Sequence, residues 1–217
     1  MSIEQNLIQI NSKIPNGCTL VIVTKNRTID EIKEVYNLGY RVFGENRVQD
    51  LVTKYEKLPK DIQWHLIGHL QTNKVKYIAP FISMIHSVES FKLLEEINKQ
   101  ALKHHRIIPC LLQIYIASEE TKFGLSQTEA MELLISRDLI ELRNIKIVGM
   151  MGMATNTTDE NQIKSEFKSL KTFFEVQKNK NTFNINLEIL SMGMSSDYQL
   201  AIAEGSNMVR VGSAVFI

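Results

Sequence analysis

Eight short apolar runs, separated by segments with helical spacing, limit the folds open to this chain more than any other feature. The runs are Leu20 to Thr24, Arg41 to Gly44, Gln63 to Ile67, Ser83 to Ser87, Pro109 to Ile114, Lys146 to Gly152, Leu187 to Leu190 and Met208 to Val211. They are apolar on both faces, as parallel strands covered by helices must be. Between them, Val48, Leu51, Val52 and Tyr55 recur at helical intervals, and Ile163, Phe167, Leu170 and Phe174 step by four, three and four. Thr158 with Asp159 and Glu160 supplies a cap and an acidic first turn for the latter helix. Gly39 and Gly205 stand where helices would stop. Strict alternation predicts an α/β fold, a single closed (β/α)8 barrel of the TIM type, with an open doubly wound sheet as the alternative.

At 217 residues the barrel would be compact against the roughly 250 typical of its class, and residues 1–217 are expected to form one domain. The chain stops at Phe216-Ile217, just after the eighth run, leaving no room for a closing helix. Ile3, Leu7, Ile10 and Ile14 form one helical stripe ahead of the first run, so an extra amino-terminal helix is expected to cover the gap beside strand eight. Twenty-five basic residues against 24 acidic ones give no surplus that would favour nucleic acid. No stretch is long enough to cross a bilayer, and Cys18 and Cys110 lack metal spacing, Cys110 reading as a buried reduced thiol. A cytoplasmic protein is the expectation. No apolar stripe demands a partner, so a monomer is expected.

In such a barrel, chemistry collects at the carboxyl ends of the strands, and phosphate sites favour the loops after strands seven and eight. Lys25 ends the first run, Gly44-Glu45-Asn46 the second and His86-Ser87 the fourth. Ser191, Gly193 and Ser195 precede a helix, and Gly212 and Ser213 follow the last run. Glycine lets the backbone approach an anion, and hydroxyls and unpaired amides donate to it. An amine that condenses with an aldehyde, set opposite a phosphate cup, describes a site for pyridoxal 5′-phosphate. Each part also has an ordinary reading: a solvated lysine, a serine-capped turn, and for the buried Arg210 a simple ion pair. His65 and His69 are spaced four apart, but Gly68 breaks the helix a zinc pair would use, and no third ligand is evident, so no metal is expected. Trp64 reads as core, and the run GMMGM as barrel packing whose glycines give a cofactor room.

Seven ordered motifs carry a resemblance across almost the whole chain. They are VTK at 23–25, FGENRVQD at 43–50, WHLIGHLQTNK at 64–74, HSVES at 86–90, KFG at 122–124, GMMGMAT at 149–155 and SMGMSSDYQLAIAEGSNMVRVGSA at 191–214. With these the chain resembles the pyridoxal-phosphate homeostasis protein family, whose barrel is similar to the amino-terminal domain of alanine racemase. The resemblance implies that Lys25 carries the cofactor as an internal aldimine. It implies phosphate contacts from Ser191, Met192, Gly193, Gly212 and Ser213, a partner for the pyridine nitrogen in Arg210, and a ring-side contact from Asn46. His65 and Lys122 match family motifs without an assigned role. Asn26, Arg27 and Thr28 stand where the family commonly has a Thr-Lys-Pro run, so entry to the next helix is expected to differ.

The family implies vitamin B6 homeostasis and amino-acid balance, with apo-enzymes that use pyridoxal phosphate as possible recipients. An arginine at the ring nitrogen disfavours its protonation and weakens the electron sink. Alanine racemase draws its opposite-face base from a second domain and a partner subunit, and no such domain is expected in this chain. A non-catalytic carrier is therefore favoured, ahead of a weak amino-acid racemase or lyase and of a cofactor-free barrel enzyme acting on a sugar phosphate.

Overall fold

The computed structural model describes residues 2–118, 123–180 and 182–217; Lys122, the first residue of the KFG match, lies outside them. Helix α1 (Ile3–Asn11) comes first, followed by β1 (Thr19–Val23), α2 (Ile29–Asn37), β2 (Val42–Glu45), α3 (Val48–Lys57) and β3 (Gln63–Leu66). A short turn leads into α4 (Val75–Ile78), then β4 (Met84–Val88), α5 (Phe91–Lys103), β5 (Ile108–Tyr115), α6 (Gln127–Ile135) and α7 (Arg137–Ile140). The chain ends with β6 (Ile145–Met153), α8 (Glu160–Gln177), β7 (Ile185–Ser191), α9 (Tyr198–Ala203), β8 (Met208–Val211) and α10 (Ser213–Phe216).

The eight strands close in sequence order into a parallel barrel, β1 pairing with β8 from Thr19↔Met208 to Ile22↔Val211. This is the expected (β/α)8 architecture. The fifth to seventh strands start earlier than their apolar runs, β7 by two residues, because polar Asn186 alternates with buried Ile185 and Leu187 on a single strand.

Local chemistry starts the helices where the sequence says. Ser2, Thr28 and Ser126 each form a capping box with a Gln or Glu three residues on, and Thr28 thereby replaces a proline entry to α2. Asp159, rather than Thr158, caps α8, its carboxylate accepting from the amides of Asn161 and Gln162. Gly39 and Gly205 follow α2 and α9 with φ of +95° and +93°, the left-handed conformation that ends a helix. Leu7 and Ile10 bury the inner face of α1, and Asn6 Nδ2 donates to Val215 O of α10 at 3.0 Å. The amino-terminal helix thus closes the fold beside β8, as expected, against a last turn that the sequence reading had not foreseen.

The main core lies between strands and helices, where Trp64 packs its ring against Phe43 and Cys110 is a buried free thiol. A second, smaller cluster of Val21, Met84, Leu111, Met151 and Met208 fills the barrel itself. Side chains two residues on share its face, so His86, Gln113 and Arg210 stand one step nearer the carboxyl ends, joined by His65 and Ser191. All five are buried. A polar deck therefore caps an apolar one, and the candidate site sits on top of it. The glycines of GMMGM serve packing rather than a cofactor: a Cβ at Gly149 would stand 1.8 Å from Ile189 O, and one at Gly152 would meet Leu170 and Ile116. Among the described residues, no helix is long and apolar enough to cross a membrane.

Candidate functional site

A cavity of about 340 Å³ opens at the carboxyl ends of the strands. Lys25, Asn26 and Arg27 enter it after β1, Asn46 after β2, Met194, Ser195 and Ser196 after β7, and Arg210, Gly212 and Ser213 from β8 and its tip. Val23, Ile67 and Met153 supply apolar wall. The described lining thus carries three cationic side chains and no carboxylate, which suits an anionic ligand with an apolar body.

Lys25 is exposed to this cavity, and its backbone is fixed from below. Thr24 donates through Oγ1 to Glu45 Oε2 (2.9 Å), and its carbonyl accepts from Lys54 Nζ (2.7 Å). Lys54 also pairs with the same carboxylate, and Glu45 Oε1 accepts from the Asn46 amide at 2.8 Å. One buried acid therefore locks the strand tips that present Lys25 and Asn46. Asn46 Oδ1 is buried without a hydrogen-bond partner, an acceptor at the cavity wall left over for a ligand. Asn26 takes the left-handed conformation at φ +60°, turning the chain sharply after the lysine.

Arg210 is buried in the polar deck. Its Nη1 donates to Ser191 O (2.8 Å) and Oγ (2.7 Å), and Nη2 to Gly152 O (3.1 Å). Burial pushes its pKa down to about 10, opposed by the nearby Asp197 charge, so it stays protonated at neutral pH. Among the described residues Nε makes no hydrogen bond, which leaves a donor for a ligand in the cavity that Arg210 lines.

The phosphate-cup residues divide. Gly212 and Ser213 line the cavity, beside the Met194–Ser196 turn, whose Ser195 Oγ accepts from the amides of Gly212 (3.1 Å) and Ala214 (3.4 Å). Ser191, Met192 and Gly193 do not line it. The Ser191 hydroxyl is taken by Arg210, the Met192 amide by Met208 O (3.1 Å) and Ser206 Oγ (3.2 Å). Gly193, at φ +91°, lets the turn pass Ala201 and Tyr198, where a Cβ would approach to 2.6 Å. These three set the turn from behind. His65 and His86 touch each other in the deck, whereas His69 faces Glu89 (2.9 Å) and stacks on Phe123 at the rim.

Lining by Met194, Ser196, Arg27 and Met153, and the support from Lys54, were missed in the sequence. For Lys54 a signal existed: it lies three residues after Leu51 on the buried face of α3, and the acid Glu45 ends an apolar run, where a buried carboxylate calls for a buried cation.

Residues 1–217 match the family described as alanine racemase, N-terminal domain. The pyridoxal phosphate homeostasis protein of Aquifex aeolicus is 37% identical over 202 residues, 93% of this chain and 87% of that protein. The solved structures of PipY from Synechococcus elongatus cover 100% of both chains. The one without PLP is 34% identical with a TM-score of 0.92. The one with PLP bound is 33% identical with a TM-score of 0.89. Sequence, length and barrel agree along the whole chain, which therefore belongs to the alanine racemase N-terminal domain family and, within it, to the pyridoxal phosphate homeostasis proteins.

Proposed function

We propose that this chain binds pyridoxal 5′-phosphate at the barrel mouth and serves in its homeostasis without catalysis of its own. One observation carries the reading: Lys25, Arg210 and the Gly212–Ser213 tip share a single cavity. When bound, the cofactor supplies an aldehyde for amines and an electron-withdrawing ring. Lys25 Nζ, exposed to the cavity, would be the amine that holds the aldehyde. Gly212 and Ser213 take the phosphate with the Ser195–Ser196 turn, on a rim that carries positive charge. Arg210, a permanent donor, would hold the ring nitrogen and disfavour its protonation, and Asn46 would border the ring. Ser191, Met192 and Gly193 act on this site through Arg210 and the turn.

Support for a carrier comes from the lining. Among the described residues it holds no carboxylate, imidazole, thiol or phenol, so of these Lys25 is the one group suited to move a substrate proton. A cytoplasmic monomer that passes its cofactor to apo-enzymes is the finer form of this reading. Purified protein is expected to absorb in the visible range, and borohydride to fix the cofactor's mass on the Lys25 peptide. A colourless protein that takes up no pyridoxal phosphate would overturn it. Amino-acid racemisation or elimination lost in Lys25→Ala, faster than free cofactor achieves, would replace the carrier with an enzyme. Transfer to an apo-enzyme faster than spontaneous release supports delivery.

A further inference from the structure

Barrel interiors are usually filled by branched apolar side chains. Here four of the buried polar groups form a continuous file. Arg210 Nη1 donates to Ser191 Oγ (2.7 Å), Ser191 Oγ lies 3.4 Å from His86 Nδ1, and His86 Nε2 lies 3.0 Å from His65 Nδ1. We propose that this file is one-way, each member donating away from Arg210 with both imidazoles protonated on Nε2, and that His86 is thereby a positioning residue for the guanidinium.

The direction follows from donor chemistry. A guanidinium only donates, so Ser191 Oγ must accept from it. The hydroxyl proton then needs an acceptor, and the one other partner of that oxygen among the described residues is His86 Nδ1. Nδ1 therefore presents a lone pair, Nε2 carries the proton, and His86 donates to His65 Nδ1. The reverse order strands a buried hydroxyl proton and aims an imidazole N–H at an oxygen already filled by a cation. Burial, the His65 neighbour and the Arg210 charge hold His86 well below its ordinary pKa, and burial lowers His65 to about 4, so both rings are neutral at neutral pH.

The consequence lies at Arg210. With Ser191 held by His86, Nη1 and Nη2 are tied to Ser191 and Gly152, while Arg210 lines the cavity and its Nε makes no hydrogen bond among the described residues. The effect on bound cofactor rests on the pyridoxal phosphate reading, whereas the file itself does not. In that setting the fixed cation sets the electron demand at the ring nitrogen, and hence the acid strength of the Schiff base at the other end of the conjugated ring.

Long-range 15N–1H correlation spectra of the full chain, between pH 5.5 and 8, are expected to show both buried imidazoles with protonated Nε2 and bare Nδ1. A proton on either Nδ1, or a cationic ring, overturns the file whatever ligand the protein binds. In the cofactor-loaded protein, His86→Leu is expected to move the midpoint of the visible-band pH titration by about one unit, a tenfold change in acidity. His86→Asn, whose Oδ1 stands in for Nδ1, should restore it, and borohydride should still mark Lys25 in both. An unmoved midpoint in His86→Leu overturns the positioning role. If that variant fails to fold, Ser191→Ala breaks the same link and decides by the same criterion. Failure of borohydride to mark the wild-type protein would instead sink the cofactor reading and leave the spectra to judge the file.

Discussion

The Lys54 ammonium is buried against the Glu45 carboxylate, directly beneath the carbonyl of the residue preceding Lys25. The pair joins α3 to the tips of β1 and β2, so a contact remote from the cavity fixes two of its lining residues. Isolated buried charges are costly, and each member is tolerable because the other neutralises it.

Removing one member should therefore do more harm than removing both. Lys54→Met leaves an unpaired carboxylate in the core and is expected to cost about 3–5 kcal/mol of stability. Glu45→Leu combined with Lys54→Met is expected to recover most of that loss while loosening the Lys25 and Asn46 tips, so cofactor uptake falls although the fold holds. Urea denaturation and a cofactor-binding titration separate the two effects. Equal stability of the single and double variants would show that the pair is not the buried unit described.

Lys25 presents the opposite balance. Its side chain is exposed and makes no hydrogen bond among the described residues, so Lys25→Ala should change stability by no more than about 0.5 kcal/mol. The same change should abolish the borohydride-stable mass while leaving weaker, reversible phosphate-dependent binding. A fixed mass that persists on another peptide would move the attachment point away from this residue.

The barrel was legible because its signal is collective. Eight apolar runs with helical spacers, reinforced by capping residues such as Thr28 and Ser126, point one way at every level. That Lys25 and Gly212–Ser213 would meet at one cavity was legible, because strand ends in a barrel face one mouth. What escaped depends on distances between strands. Ser191 reads as a cup residue in sequence, yet side-chain alternation turns it inward to Arg210, and only the register Ser191↔Met208 reveals this. The His65–His86 contact likewise joins residues 21 apart whose shared face depends on barrel closure.

Two glycines of the sixth strand should rank differently. A Cβ at Gly149 meets the Ile189 carbonyl of the neighbouring strand at 1.8 Å, and backbone cannot yield without breaking the ladder. Gly149→Ala is expected to cost about 3 kcal/mol or more, or to prevent folding. At Gly152 the nearest atoms are side-chain tips, Leu170 Cδ2 at 2.5 Å and Ile116 Cδ1 at 2.9 Å, which can rotate away. Gly152→Ala should cost less, about 1–2 kcal/mol. Midpoints of urea unfolding compare them, and a reversed order would contradict the close approach of β6 and β7.

Acid should weaken the fold before its carboxylates titrate. His65 is neutral in the buried deck, its folded-state pKa lowered to about 4 by burial, against about 6.5 when unfolded. Above pH 6.5 neither state takes up the proton and the contribution is complete. Between 6.5 and 4 the unfolded chain binds it and the folded chain does not, so stability falls with pH. A gap of about 2.5 units corresponds to about 3 kcal/mol at most, and His86, shifted in the same direction, adds to it. Glu31, Glu129 and Glu175 have values lowered from 4.5 by the Thr28 amide, the Ser126 amide and Lys171 respectively, so their losses set in only as pH falls through about 4.5, below the lower pH of the comparison that follows. Urea midpoints at pH 7.5 and 4.8 should therefore differ in the wild type, and the difference should shrink by about half in His65→Leu, with His86 supplying the remainder. If the variant keeps the full pH dependence, the imidazole is not buried as a neutral ring.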